Sequence, residues 1–268
     1  MTLLLLLLLR MTMPMLSYDD ELISIITPAF RVENVIMETI NSVIQQSYIN
    51  WELLIADDCS PDCTAAVVLT AAEKDPRIHL ISCQRNGGPA AARNAAIDRA
   101  KGRWVAFLDS DDTWLPTKLE ETVSFARKEN AALAFTAFRR TSADGITVGR
   151  HVGVPNKISY KQLLGNTTIA TSTVLVDRSL VGEFRMPDAY YDDFVCWLSI
   201  LKRGFLARGL NKDLMRYRVL PSSVSRNKLK SAGQVWKTYR KIENLGFTTS
   251  AFHFIGYCAR SILKYRKL

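Results

Sequence analysis

At 268 residues, 48% hydrophobic and 23% charged, the chain is long enough to bury a core and too apolar for a disordered polymer. Its formal charge of +9 suits an anionic partner: a nucleotide, a phospholipid surface or a nucleic acid. Five scattered cysteines (Cys59, Cys63, Cys83, Cys196 and Cys258), with no second pair at zinc spacing beside Cys59 and Cys63, argue against a disulfide framework or a zinc module and suit a reducing compartment.

The chain opens on seven consecutive leucines within residues 1–10. That run is shorter than the roughly 20 residues a spanning helix needs, and it lacks the basic n-region and small-residue cleavage site of a signal peptide. Met11, Met13 and Met15 offer later translation starts. Residues 1–20 are therefore expected to be an extension outside the fold, with a weak membrane-surface anchor as the alternative. Residues 22–27, ending at Pro28, read as the first strand. Residues 33–46 carry Val35, Ile36, Ile40, Val43 and Ile44 at a helical period. Residues 51–56 form a second strand that closes on Asp57 and Asp58. A helix over 62–73, capped by Asp62 or Thr64, leads to a third strand over 78–82. Asn86-Gly87-Gly88-Pro89 is a turn. An alanine-rich helix over 90–100 follows, with Gly102 placed to stop it, and then a fourth strand over 103–108.

This β-α-β-α-β-α-β order predicts a parallel sheet with right-handed crossovers. A helix over 116–128, with Pro116 in its first turn, and a strand over 131–139 come next. Residues 141–156 are polar and turn-rich, and the β-branched residues 168–176 return to the sheet. Residues 192–203 form a helix packed through Val195, Leu198 and Leu201, and residues 216–220 an edge strand before Pro221. From Lys228 onward the chain is basic and helical. No repeat or long linker divides it.

The chemistry is concentrated where strands end. Trp104-Val105-Ala106-Phe107-Leu108 runs straight into Asp109-Ser110-Asp111-Asp112, with three carboxylates in four positions. Ligands of open α/β sheets bind at the carboxyl ends of the strands, and carboxylates so close repel unless a cation or proton intervenes. A hard cation takes oxygen ligands and bridges to substrate phosphates. The motif therefore predicts a metal holding a phosphorylated substrate; the plainer reading is a solvated turn capping the next helix. Neither G-x-x-x-x-G-K-[ST] nor a G-x-G-x-x-G after the first strand occurs, which leaves a P-loop ATPase and a dinucleotide oxidoreductase unsupported. In Pro28-Ala29-Phe30 the aromatic can pack on a nucleobase or fill core. Asp57 and Asp58 can accept bonds from a base or ribose, or cap the turn that follows. Arg93 can reach a base or phosphate. Asp192-Asp193 can complement a helix dipole, or supply the base that deprotonates an attacking hydroxyl.

Four stretches in this order are highly specific together: residues 23–30, 50–60, 85–94 and 107–119. With Asp192-Asp193 and the helix through Trp197, the chain resembles the family 2 glycosyltransferases, its later part most like bacterial enzymes that build surface polysaccharides, including the teichuronic-acid type. The resemblance implies a GT-A fold: an α/β, Rossmann-like, mixed but mainly parallel sheet flanked by helices, with a helical C-terminal extension. It implies a catalytic domain over 21–226 (nucleotide-binding half 21–130, acceptor half 131–226) and a basic helical tail over 227–268. The implied reaction is inverting transfer of a single hexose-type sugar from a nucleotide-sugar to a polyprenyl-diphosphate-linked glycan acceptor. The implied donor-binding residues are Pro28, Phe30, Glu33, Asp58, Arg93, Asp109 and Ser110. In the D-x-D motif Asp111 would contact Mg2+ or Mn2+, with Asp109 near the metal or ribose. Asp193 is the implied base and Asp192 the second choice. Arg31 departs from the asparagine of many relatives, and the Q-x-x-R-W of processive enzymes is absent.

The tail, with its lysines, arginines and aromatics, can lie on an anionic membrane surface or simply pack on the domain. A lipid-linked acceptor favours the membrane, and hence a cytoplasmic protein peripheral on the inner face of the cytoplasmic membrane. Two alternatives stand beside this reading: a sugar-1-phosphate nucleotidyltransferase, and a non-enzymatic basic module binding membrane or nucleic acid. A nucleic-acid partner is not expected, because it leaves the acids at two strand ends unexplained.

Overall fold

The computed structural model describes residues 21–166, 168–220 and 228–266, so the extension expected over 1–20 lies outside the described residues. Strands β1 (Ile23–Ala29), β2 (Trp51–Asp57), β3 (Ile78–Ser82) and β4 (Trp104–Phe107) are parallel and lie in the order β3-β2-β1-β4. They are joined by α1 (Ile36–Ile44), α2 (Thr64–Lys74) and α3 (Gly88–Ile97). In β1, Ile23 and Ile25 pack with Ile36, Ile40 and Val68 on one face, while Ile26 packs with Ala92 and Ala96 on the other. Both faces are buried, which is why the strand reads as a mostly apolar, β-branched run without alternation.

Local boundaries differ from expectation for identifiable reasons. The first helix begins at Ile36, because Val35 and Ile36 donate to the Val32 carbonyl in a tight turn (3.0 and 2.9 Å). Helix α3 ends at Ile97, so Gly102 is not its stop. A Cβ at Gly102 would lie 2.5 Å from the Leu22 carbonyl oxygen and 2.7 Å from the Ser24 nitrogen; the glycine lets the chain pass against β1. Helix α4 (Lys118–Lys128) starts beyond Pro116, whose carbonyl instead accepts from Ser47 N–H at 2.8 Å.

Past α4 the sheet becomes mixed. It continues through β9 (Leu175–Asp177), β6 (Leu133–Thr141), β10 (Ala207–Arg218) and β5 (Thr113–Trp114), with β7 (Val148–Val152) on β6 and β8 (Lys157–Ile158) on β10. β9 is antiparallel to both β4 and β6, and β6 is parallel to β10. The long ladders are the parallel ones, as expected. Residues 141–156 turn out to include β7, and residues 168–176 contribute only the three-residue β9, after one 3-10 turn, Thr171–Thr173. The expected edge strand over 216–220 is corrected to the 12-residue β10, which lies inside the sheet between β6 and β5. Register shifts at Leu210/Asp213 and Asp213/Arg216 break its alternation. Gly209 also interrupts it, because a Cβ there would sit 2.0 Å from the Pro155 carbonyl oxygen.

Helices α5 (Tyr160–Leu164), α6 (Arg178–Val181) and α7 (Asp192–Lys202) complete the domain, and α8 (Lys228–Lys237) and α9 (Phe247–Arg266) form the tail. Glu243, between α8 and α9, accepts from Tyr160 Oη at 2.6 Å and Lys202 Nζ at 3.0 Å, which ties the tail to α5 and α7.

Lys118, at the start of α4, is fully buried. Its Nζ lies 3.8 Å from the Trp114 ring centroid and has no hydrogen-bond partner among the described residues. Burial pulls its ammonium down to about 7 from the ordinary 10.5. Between those values the unfolded chain binds the extra proton, so this residue's contribution to stability rises with pH. Calorimetry should find Lys118→Met more stable than the wild type at pH 7, by a margin that narrows steadily towards pH 10.

Candidate active site

The loop that leaves β4 is fixed before any ligand arrives. Leu108 N–H donates to the Ile26 carbonyl (3.0 Å), and Asp112 N–H closes a turn onto the Asp109 carbonyl (3.1 Å). Asp109 N–H donates to Ser172 Oγ at 3.0 Å, and that hydroxyl donates to Asp112 Oδ2 at 2.6 Å. Thr39 Oγ1 stands 2.9 and 2.8 Å from the Ser110 and Asp112 carbonyls. Arg218 N–H donates to Asp112 Oδ1 (2.9 Å) and its Nε to the Asp111 carbonyl (2.9 Å), while the guanidinium pairs with Glu38. Asp112 is thus consumed in holding the loop, and Ser110 is buried beneath it.

Two carboxylates of the motif remain. Burial first, and then the neighbouring Asp109, push Asp111 up to about 6. A carboxyl destabilised as an anion is one that a cation would restore. Among the described residues no three His, Cys, Asp or Glu side chains gather closely enough to cage a metal by themselves. The donor set fits Mg2+ or Mn2+ held by one or two carboxylates, with the remaining ligands from substrate phosphate and water.

Asp109 faces Arg93. This α3 arginine is buried, donating from Nη2 to Asp109 Oδ1 at 2.7 Å and from Nη1 to Asp192 Oδ2 at 2.6 Å. Burial alone would lower its guanidinium; Asp109 and Asp192 outweigh that and hold it above its ordinary value. Both outer nitrogens are therefore committed to carboxylates, and Arg93 is placed as a link between the two acidic clusters. Asp192 is raised by burial, opposed by Arg93. Its neighbour Asp193 is half-buried, with Thr171 Oγ1 donating to Oδ2 at 2.6 Å and Phe194 N–H to Oδ1 at 2.7 Å. Trp197, one turn further along α7, packs edge-on against Phe107 of β4 with centroids 5.2 Å apart, so the helix bearing Asp193 is braced on the strand that delivers Asp109.

At the ends of β1 and β2, Phe30 is 41% exposed and so does not fill core, and Arg31 lies 5.2 Å over its ring. Pro28 is half-buried beside it. Asp58 accepts from Gly87 N–H at 2.8 Å and Gly88 N–H at 2.7 Å, which pins the turn before α3. Glu33 lies to the side, accepting from Cys63 N–H at 2.7 Å. The structure gathers Pro28, Phe30, Asp58, Arg93, Asp109, Ser110 and Asp111 at the carboxyl ends of β1, β2 and β4 and brings Asp192 and Asp193 to them. Sequence reasoning missed Thr39, Thr171 and Ser172; the one visible signal was the unbroken hydroxyl run Thr171-Ser172-Thr173.

The sequence signature of Glycosyl transferase family 2 matches residues 24–183. The chain belongs to glycosyltransferase family 2. This glycosyltransferase is 39% identical to TuaG of Bacillus subtilis (strain 168), a glycosyltransferase assigned provisionally to teichuronic acid biosynthesis, over 91% of the chain and 97% of TuaG. It is 40% identical to WfgD of Escherichia coli, a UDP-Glc:alpha-D-GlcNAc-diphosphoundecaprenol beta-1,3-glucosyltransferase, over 81% of the chain and 85% of WfgD. Its GT-A fold is shared with S. aureus TarS in complex with UDP-GlcNAc (TM-score 0.67, 18% identity, 88% of this chain and 71% of TarS). It is likewise shared with the mannosyltransferase PcManGT of Pyrobaculum calidifontis in complex with GDP-Man and Mn2+ (TM-score 0.67, 18% identity, 87% and 68%).

Truncating Arg93 leaves Asp192 buried and unpaired. In urea denaturation Arg93→Ala should lose about 3 kcal/mol or more, whereas Asp98→Ala, which breaks the exposed pair with Arg185, should lose no more than about 1 kcal/mol.

Proposed function

We propose that this glycosyltransferase is inverting and metal-dependent. It would move one hexose-type sugar from a nucleotide-sugar to a polyprenyl-diphosphate-linked glycan in bacterial cell-surface polysaccharide synthesis. The observation that carries the reading is the Arg93 bridge, which sets the Asp109–Asp111 loop beside Asp192 and Asp193. Asp111 and Asp109 would hold the divalent cation, which when bound neutralises the charge on a departing diphosphate. The open face of Phe30, with Pro28 and Asp58, would receive the nucleobase. Asp193 takes the proton from the acceptor hydroxyl as that oxygen bonds to the anomeric carbon and the bond to the diphosphate breaks, a single displacement that inverts the centre. Asp192 is unsuited to this role because its carboxylate is tied to Arg93. The donor and acceptor named for WfgD, and the Mn2+ complex of PcManGT, support the same assignment.

The tail supports the lipid-linked acceptor. Residues 227–268 hold nine lysines and arginines against a single acid, Glu243, which is buried in its contacts with Tyr160 and Lys202. Phe247, Phe252 and Ile255 of α9 are exposed, as are Lys237, Arg240 and Lys241 nearby. Exposed aromatics beside a one-signed basic surface suit the headgroup region of an anionic membrane. Among the described residues no helix is long and apolar enough to cross one. The enzyme would thus work as a cytoplasmic protein, peripheral on the inner face of the membrane.

Asp193→Asn should retain nucleotide binding while transfer falls by about 10²–10⁴-fold, and Asp111→Asn should abolish the Mn2+-dependent part of nucleotide binding in calorimetry. Transfer by Asp193→Asn at the wild-type rate would remove Asp193 from the mechanism. In co-sedimentation, the protein should pellet with phosphatidylglycerol vesicles but not with phosphatidylcholine. Replacing Phe252 and Ile255 together by serine should release it; undiminished pelleting rejects the docking face.

A further inference from the structure

Thr171, Ser172 and Thr173 form a single 3-10 turn just before β9, and all three are buried. Buried hydroxyls require partners: Thr173 donates to the Ala170 carbonyl at 2.6 Å, while the partners of the other two divide between the two acidic clusters. Ser172 faces the β4 loop, accepting from Asp109 N–H at 3.0 Å and donating to Asp112 at 2.6 Å, and its carbonyl accepts from Trp114 Nε1 at 2.7 Å. Thr171 faces α7 and donates to Asp193 Oδ2 at 2.6 Å. Consecutive residues of one rigid turn therefore grip the loop of the proposed metal ligands and the proposed base.

We infer that Thr171 is the positioning residue of Asp193: its hydroxyl fixes the carboxylate's orientation, while Ser172 beside it keeps the base in register with the Asp109 loop. The inference rests on the assignment of Asp193 as base. A short hydroxyl-to-carboxylate bond is charge-assisted and holds the carboxylate in one orientation. An ionised carboxylate has about four acceptor sites, so two donors leave room for the attacking hydroxyl. The other charged and titratable groups around Asp193 come from two elements. Asp192, Tyr191 and Cys196 lie on or beside the same helix, and Arg93 reaches in from α3. Arg93 neutralises Asp192 on the far side, which leaves Thr171 as the side chain that donates to Asp193 among the described residues.

The test uses the full chain. Transfer is followed to a lipid-diphosphate-linked N-acetylglucosamine acceptor from whichever of UDP-glucose, UDP-N-acetylglucosamine and GDP-mannose supports turnover. Thr171→Val preserves shape and removes the hydroxyl. It should lower kcat by about tenfold, the scale of one hydrogen bond to a charged group, while the donor KM stays within about twofold. Thr171→Ser, which keeps the hydroxyl, should restore kcat. A lowered kcat that serine does not rescue, or a donor KM that rises in step with it, would reduce Thr171 to a packing residue and overturn the inference. An unchanged kcat would do the same. If the valine variant fails to fold, Thr171→Ala against Thr171→Ser gives the same comparison. Asp193→Asn is the separating control. Should it remain active, the base assignment itself falls; should it be dead while Thr171→Val behaves as wild type, only the positioning role falls.

Discussion

The buried guanidinium of Arg93 is the constraint on which the site depends. It joins carboxylates that are 83 residues apart in sequence, Asp109 and Asp192, through one planar group whose two outer nitrogens reach opposite ways. A buried ion pair of this kind adds little net stability, since desolvation offsets attraction, but it tolerates almost no displacement, because an unpaired charge inside is costly. Its worth is therefore geometric. It fixes how far the loop after β4 stands from the first turn of α7, and that separation is what a reaction between a donor and an acceptor requires.

The remaining contacts repeat the same constraint with other chemistry. Trp197 against Phe107 sets the helix on the strand by packing, and the Thr171–Thr173 turn sets it by hydroxyl bonds. Arg218 and Thr39 hold the backbone of the loop from the opposite side. The acids consequently divide in kind. Asp112 and Asp192 are buried, spent on neighbours and stiffen the frame, whereas Asp111 and Asp193 are only half-buried. Preorganisation of this sort places the supporting residues, not the reacting ones, under the tightest packing.

Much of this was legible from the chain. β1, β2 and β4 announce themselves because both faces of each are covered, so their runs are mostly apolar, and the abrupt change from Leu108 to Asp109 marks the strand end that carries the chemistry. The four stretches shared with family 2 glycosyltransferases supplied the rest of the first half. What stayed hidden depends on distant contact. Gly209 and two register shifts disguise β10 as a polar loop, and Gly102 resembles a helix stop until the Leu22 backbone is seen beside it. Arg93 looks like any exposed helix arginine, because its partners are defined only once α7 folds across α3. Thr171 and Ser172 look like strand residues, since β-branching and hydroxyls carry no record of which carboxylate they will meet.

The β6–β7 hairpin stands apart from all of this. β7 is largely exposed and pairs with β6 alone. The frame reaches it through Arg218, which donates to the carbonyl of Ala143 at 2.9 Å. A main-chain carbonyl is offered by every amino acid, so the exposed side chains of β7 and the turn before it can be exchanged without breaking that contact. Lineages descended from such a scaffold can diversify there while inheriting their reaction centre intact.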